Sequence, residues 1–171
     1  MAVVVAIDAG TTGVRSMALS ESGLPVGMAY REFTQHFPRP GWVEHDATEI
    51  WEAVRATLTE LVNGLDEPIA AIGITDQRET VVAWDRRTGE PRHRAIVWQD
   101  RRTAARCDEL AEAGHLPLVR ETTGLVLDPY FSGTKLEWLL RPSDQGGGGV
   151  EADEHLAVGT IDTWLLWQLT G

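Results

Sequence analysis

Cysteine is nearly missing from this chain of 171 residues: Cys107 stands alone. A lone cysteine excludes an internal disulfide framework and a cysteine-built zinc site. Long apolar runs are missing as well. The longest unbroken one is Ala2 to Ile7, far short of the roughly 20 residues that a membrane helix requires. No basic segment or cleavage site follows Met1, so a secretory leader is not expected. Positive charge is scarce: 15 Lys and Arg stand against 26 Asp and Glu, for a net charge of −11. That balance disfavours nonspecific contact with nucleic acid or with anionic membranes. It also means that any phosphate site is built from local geometry against the overall field. These absences point to a cytoplasmic protein with no nucleic-acid partner and no membrane insertion. What remains is ordinary globular composition, 43% hydrophobic and 24% charged, in a length that suits one domain or a large part of a bigger one.

Along the chain, Ala2 to Asp8 is apolar and β-branched and ends in an acid, the pattern of a central strand buried on both faces. Ala9-Gly10-Thr11-Thr12-Gly13 reads as a tight turn, and Val14–Leu19 and Val26–Phe33 as strands joined at Glu21-Ser22-Gly23. Asp46 opens a helix over 47–65, with Glu49 as its capping partner and Asn63-Gly64 at its end. Ile69–Thr75 reads as a core strand beside the first. Thr80–Trp84 and His93–Trp98 read as strands. Arg101–Ala113, Tyr130–Leu140 and the Trp-rich Asp162–Leu169 read as helices, and Leu156–Thr160 as a short strand. Gly146 to Gly149 reads as a flexible loop. The order of elements is α/β. Trp164 and Trp167 sit on a helix apolar on nearly all sides, so they are expected to be exposed, more protein is expected to follow, and the piece alone is expected to self-associate.

Four stretches carry candidate chemistry. In Asp8-Ala9-Gly10-Thr11-Thr12-Gly13 an acid ends a buried strand, the glycines let backbone N–H groups approach an anion, and two threonines add hydroxyls. An acid beside a phosphate cradle makes sense with a cation such as Mg²⁺ between them. Arg15 follows closely. In Thr75 to Thr80, Arg78 offers donors and Glu79 acceptors, a pair suited to a polyol, provided the strand is irregular there. Trp98 supplies an apolar wall, and Asp100 reads as the N-cap of the following helix. Tyr130 follows Asp128-Pro129. Each stretch also has a plainer reading: a hairpin turn, a solvated charged loop, a core Trp with a capping Asp, a buried first-turn aromatic. His45 reads as part of a polar loop, and Cys107 as an inert thiol in a helix.

Taken together and in order, Ile7 to Thr12, Gly41 to Asp46, Ile74 to Thr80, Ile96 to Thr103, Leu127 to Lys135 and Gly159 to Gly171 resemble the glycerol kinases of the FGGY group of carbohydrate kinases. The resemblance implies the first lobe, incomplete, of an actin/hexokinase-type ATPase on a ribonuclease-H-like core, with residues 1–171 as a truncated N-terminal domain. It implies ATP- and Mg²⁺-dependent phosphorylation of glycerol to glycerol 3-phosphate by a homo-oligomeric parent. It places Asp8 near the metal in a catalytic role, Thr11, Thr12, Gly13 and Arg15 on the nucleotide phosphates, Arg78, Glu79 and Tyr130 on the alcohol hydroxyls, and Trp98 on its carbons. The second lobe, the general base and the adenine pocket would lie outside these residues, so the piece alone is not expected to turn over. Ala9, Gly13 and Asp76 depart from the family's usual Gln, Ser and Asn, as does the segment Pro142 to Asp153. The alternatives are a kinase for another small polyol or sugar, and a noncatalytic polyol- or phosphate-binding module.

Overall fold

The computed structural model describes residues 2–171. The elements in chain order are β1 (Val3–Ala9), β2 (Gly13–Leu19), β3 (Pro25–Glu32), β4 (Gln35–His36), β5 (Glu44–His45), α1 (Ala47–Asn63), β6 (Ile69–Asp76), β7 (Val81–Asp85), β8 (Ala95–Ile96), α2 (Ala104–Glu112), α3 (Leu116–Thr123), α4 (Ser132–Leu140), β9 (Leu156–Thr160) and α5 (Ile161–Thr170). They fall into two units, one of residues 2–35, 45–78 and 161–171, the other of residues 36–44 and 79–160. Among the described residues no helix is long and apolar enough to cross a membrane.

The first unit is a four-stranded sheet of order β3-β2-β1-β6, with β1 antiparallel to β2 and parallel to β6. Its strands alternate. Val3, Val5, Ile7 and Ala9 point to a buried face, while Val4, Met28 and Tyr30 on the other face are exposed. The apolar opening of the chain is therefore covered on one face only, not on both. β6 lies beside β1 as expected, but as an edge strand with Ile72 49% exposed. Helix α1 covers the buried face because Ile50, Val54 and Leu61 recur on one side of it. Leu61, with Leu58 and Leu65, packs on Val3, Val5 and Ala18. One polar pair lies beneath the helix and is satisfied: Ser16 Oγ and Thr57 Oγ1 are 2.8 Å apart, and Thr57 also donates to Ala53 O. Asp46 caps α1 by accepting from Thr48 N (2.9 Å), but Glu49 does not close a capping box: its carboxylate takes the Thr34 N–H instead. α5 packs on β6 and α1 and buries Ile161, Trp164 and Leu165. The expected exposure of Trp164 is thus overturned.

The second unit's sheet has the order β4-β5-β8-β7-β9, with β7 antiparallel to both neighbours. Residues Val81–Trp84 of β7 are buried, and Val81, Ala83 and Ile96 form a core with Leu139 and Val150. The strand expected over His93–Trp98 shrinks to Ala95–Ile96, because Val97 and Asp100 turn their N–H groups to Val43 O and Val97 O. The expected flexible loop at Gly146–Gly149 is instead docked. The N–H groups of Gly147, Gly148, Gly149 and Val150 donate to the carbonyls of Pro142, Trp138, Arg141 and Leu139. A Cβ on Gly147 would collide with the Arg141 backbone, and one on Gly148 with Trp138 and Leu139, so these glycines are required by close approach.

The same unit holds a buried ion cluster. Arg102, its side chain 1% exposed, donates from Nε and Nη2 to Asp100 (2.9 and 2.8 Å) and from Nη2 to Glu44 (2.8 Å). The guanidinium carbon lies 3.8 Å from the Trp42 ring centre and 4.5 Å from that of Trp138. Asp100 also accepts the Val43 N–H (2.7 Å), which ties the loop around Trp42 to the loop after Trp98. Asp100 is therefore a tertiary clamp and not the N-cap of α2, a position that falls to Thr103.

Candidate functional site

In the first unit, the C-terminal ends of β1 and β6 lie together, the end of a sheet where ligands commonly bind. Asp8 stands opposite Arg15 on β2, and Arg15 opposite Tyr30 on β3, so the three form a row across the exposed face. The Arg15 guanidinium sits 5.7 Å from the Tyr30 ring centre. Asp8 is exposed and takes no hydrogen bond or ion pair within the described residues. The hairpin Gly10 to Gly13 closes through Gly10 N to Gly13 O (3.0 Å), so the Gly10 N–H is committed and not available to an anion. Thr11 and Thr12 form its tip. Gly13 is glycine for a steric reason: a Cβ there would lie 2.5 Å from Arg31 O and 2.6 Å from the Tyr30 hydroxyl. Tyr30 thus fills the space that a side chain at 13 would use.

Gln77, 5% exposed, joins this turn to the end of β6. Its backbone N–H reaches Ala9 O (3.0 Å), and its amide nitrogen reaches Gly10 O (3.1 Å) and His45 Nδ1 (3.2 Å). An amide nitrogen only donates, so Nδ1 accepts. His45 is fully buried, edge-on to Phe33, and is a core residue where a polar loop was expected. Asp76 caps α5 by accepting from Asp162 N (3.1 Å), and burial pushes its carboxyl above the usual range. Arg78 is exposed at the end of this unit's segment.

The second unit holds Glu79, Trp98 and Tyr130. The irregularity needed after β6 is present: β6 stops at Asp76, and Glu79 is the one described non-glycine residue with positive φ (68°). Such a backbone costs an ordinary residue about 1–2 kcal/mol. The strain is held by contacts. Glu79 Oε2 accepts from Ser132 N (2.8 Å) and Ser132 Oγ (2.6 Å). Its second oxygen, Oε1, takes no hydrogen bond from the described residues. Lys135 Nζ donates to Glu79 O (2.8 Å) and Tyr130 O (2.6 Å). Trp98 and Tyr130 meet edge to face with ring centres 5.9 Å apart, and the backbone N–H of Trp98 donates to Thr80 Oγ1 (3.1 Å). Glu79 and Tyr130 are thus joined at their carbonyls by Lys135, and the Tyr130 ring meets that of Trp98. Ser132 and Lys135 are the members of this group that the sequence reading passed over. Lys135 carried a signal, because it is the chain's only lysine. Cys107 is buried, and burial raises its thiol pKa, so it stays protonated and inert.

Among the described residues no three His, Cys, Asp or Glu side chains cluster as a metal site. Asp8 alone suits an ion of the Mg²⁺ type, which keeps several waters and binds through one or two carboxylates and substrate phosphates.

Comparison with known proteins identifies the family of the chain. Residues 3–171 match the model of the FGGY family of carbohydrate kinases, N-terminal domain. A glycerol kinase of Dechloromonas aromatica is 57% identical over 173 residues, covering 98% of this chain and 34% of that protein. One from Bacillus cereus is 51% identical, with 98% and 34% covered. The crystal structure of Plasmodium falciparum glycerol kinase with ADP superposes with a TM-score of 0.88 at 31% identity, covering 99% of this chain and 34% of that one. A xylulose kinase of Lactobacillus acidophilus shares the fold at a TM-score of 0.86 and 19% identity, with 98% and 33% covered. The chain spans about a third of the length of the curated relatives it matches. With residues 3–171 matched, the chain belongs to the FGGY family of carbohydrate kinases and carries its N-terminal domain.

Proposed function

We propose that this domain supplies the alcohol-binding and phosphate-binding groups of an ATP-dependent kinase that converts glycerol to glycerol 3-phosphate. The observation that carries the reading is Glu79: one carboxylate oxygen is fixed twice by Ser132 and the other is left for a ligand. Oε1 is an acceptor for an alcohol hydroxyl, and the Arg78 guanidinium is a donor of the kind an alcohol oxygen accepts. The edge-to-face rings of Trp98 and Tyr130 shield the carbon skeleton from water. Thr11 and Thr12 offer hydroxyl and backbone donors to phosphate oxygens, with Gly13 closing their turn, and Arg15 adds positive charge in the row that includes Asp8. Asp8 would hold a hydrated Mg²⁺. When bound, that ion neutralises charge on the transferring phosphoryl group.

In the reaction a terminal alcohol oxygen bonds to the γ-phosphorus as the bond from phosphorus to the β,γ-bridging oxygen breaks. The alcohol proton leaves to a base. Catalysis of this kind is mostly positioning and charge stabilisation, which is what the named residues offer. We place the proton-accepting base, the adenine pocket and a second lobe on the parent polypeptide beyond residue 171. We also place the parent in the cytoplasm, as a homo-oligomer. Support comes from the glycerol kinase relatives and from a carboxylate sized for one hydroxyl.

Steady-state kinetics of the full-length protein with ATP and a panel of glycerol, xylulose, erythritol and gluconate test this. Glycerol is expected to exceed each other alcohol at least a hundredfold in kcat/KM, and Glu79→Gln to raise the glycerol KM at least tenfold. A pentulose or tetritol preferred over glycerol overturns the substrate assignment.

A further inference from the structure

Lys135 is the chain's single lysine among fourteen arginines, and it is fully buried. Burying an ammonium is unfavourable unless something specific is gained from it. An apolar chain of the same length would fill the space next to Leu139 without that penalty. What the ammonium does is donate to two carbonyls, Glu79 O at 2.8 Å and Tyr130 O at 2.6 Å. Glu79 precedes β7 and Tyr130 precedes α4, so one point charge joins two segments distant in sequence. Glu79 holds a left-handed backbone that its side chain does not favour, and its carbonyl needs a fixed partner. Ser132, three residues before Lys135 on the same face of α4, holds the carboxylate of that residue. The first turn of α4 therefore grips Glu79 at both ends and Tyr130 at its backbone. A guanidinium would not substitute: its donors are a longer, planar fork, whereas two converging carbonyls suit a compact ammonium.

We propose that Lys135 is a positioning residue for the alcohol site, setting the separation of Glu79 and Tyr130 through their carbonyls. The proposal rests on the functional reading above, which places both residues on the alcohol. Burial also lowers the Lys135 pKa to about 8, against the opposing pull of the Glu79, Asp100 and Asp128 carboxylates, which is the cost of placing an ammonium there.

The test compares Lys135→Met with Leu139→Ala, a core truncation in the same helix that touches neither carbonyl. In the full-length kinase, Lys135→Met is expected to raise the alcohol KM at least tenfold while the ATP KM stays within twofold. Leu139→Ala is expected to leave the alcohol KM within threefold. By hydrogen exchange, amides of residues 79–80 and 130–132 are expected to exchange at least tenfold faster in Lys135→Met than in Leu139→Ala. An alcohol KM within threefold of wild type in Lys135→Met, an equal rise in Leu139→Ala, or equal exchange in the two variants overturns the proposal. If Lys135→Met does not fold, Lys135→Gln, whose amide keeps donors one bond short of reach, is held to the same thresholds. A wild-type enzyme inactive on every alcohol overturns the functional reading, and the exchange comparison then decides Lys135 alone.

Discussion

Replacing Arg102 with methionine removes the centre of the buried ion cluster while keeping its aliphatic length. Asp100, its side chain fully buried, keeps the N–H groups of Val43 and Arg102. Glu44 Oε1 loses the Arg102 Nη2 donor, and both carboxylates lose their counter-charge. Breaking one side of a buried pair costs about 3–5 kcal/mol. Loss of the cation between two indoles adds to it, since a desolvated cation–π contact is worth about 2 kcal/mol or more. Against a total stability of about 5–15 kcal/mol, this is a large fraction. Urea unfolding followed by tryptophan fluorescence is the assay, because Trp42 and Trp138 are the rings that sandwich the guanidinium. With a slope of about 2 kcal/mol/M, the combined loss of about 5–7 kcal/mol is expected to lower the midpoint by about 2.5–3.5 M. Arg102→Lys keeps the charge but loses the fork and the stacking, and is expected to fall between. A midpoint shift below about 0.5 M for Arg102→Met refutes the reasoning and makes the cluster a local contact of little consequence.

Gly13→Ser is expected to destabilise the first unit by about 1–3 kcal/mol through overpacking against the Arg31 carbonyl and the Tyr30 hydroxyl; thermal melting that matches wild type would contradict this. Asp46→Ala removes the Thr48 N–H acceptor at the start of α1 and is expected to lower stability by about 1 kcal/mol in the same measurement. Because Lys135 is the only lysine of these 171 residues, lysine-selective ¹³C labelling of this chain yields one side-chain signal, expected to titrate near 8 and not at the ordinary 10.5. The folded state holds that proton more weakly than the unfolded chain does, so stability is expected to rise with pH between about 8 and 10.5. The rise is at most about 3.5 kcal/mol at about 1.4 kcal/mol per unit. It should be absent in Lys135→Met, and an equal rise in that variant assigns it to another group.

The fold was legible where physical periodicity is local. Ile50, Val54 and Leu61 recur with the period of a helix, Asp46 marks its start, and β-branched runs mark β1 and β6. Legibility failed where tertiary contacts decide. Asp100 looks like a helix cap because it precedes a helical stretch, yet its partners are Val43 and Arg102. His45 lies between two acids and looks solvated, yet Gln77 and Phe33 enclose it. Trp164 looks exposed on an all-apolar helix, yet it is 1% exposed. The candidate residues Asp8, Arg78, Glu79, Trp98 and Tyr130 are picked out by residue type and order. The role of Lys135 was not legible, because a carbonyl acceptor leaves no trace in sequence and Lys135 recognises only carbonyls; its being the only lysine flagged the residue without saying what it holds.

The glycine run after α4 looks from its composition like the place to insert an affinity tag, a fluorescent reporter or a protease site. The main chain there fastens directly onto the last turn of the helix whose first turn holds Glu79. An insertion between Gly147 and Gly149 would peel away that fastening at the far end of the same helix, whereas the exposed hairpin at Glu21-Ser22-Gly23, with open space around Gly23, offers a graft point that leaves α4 untouched.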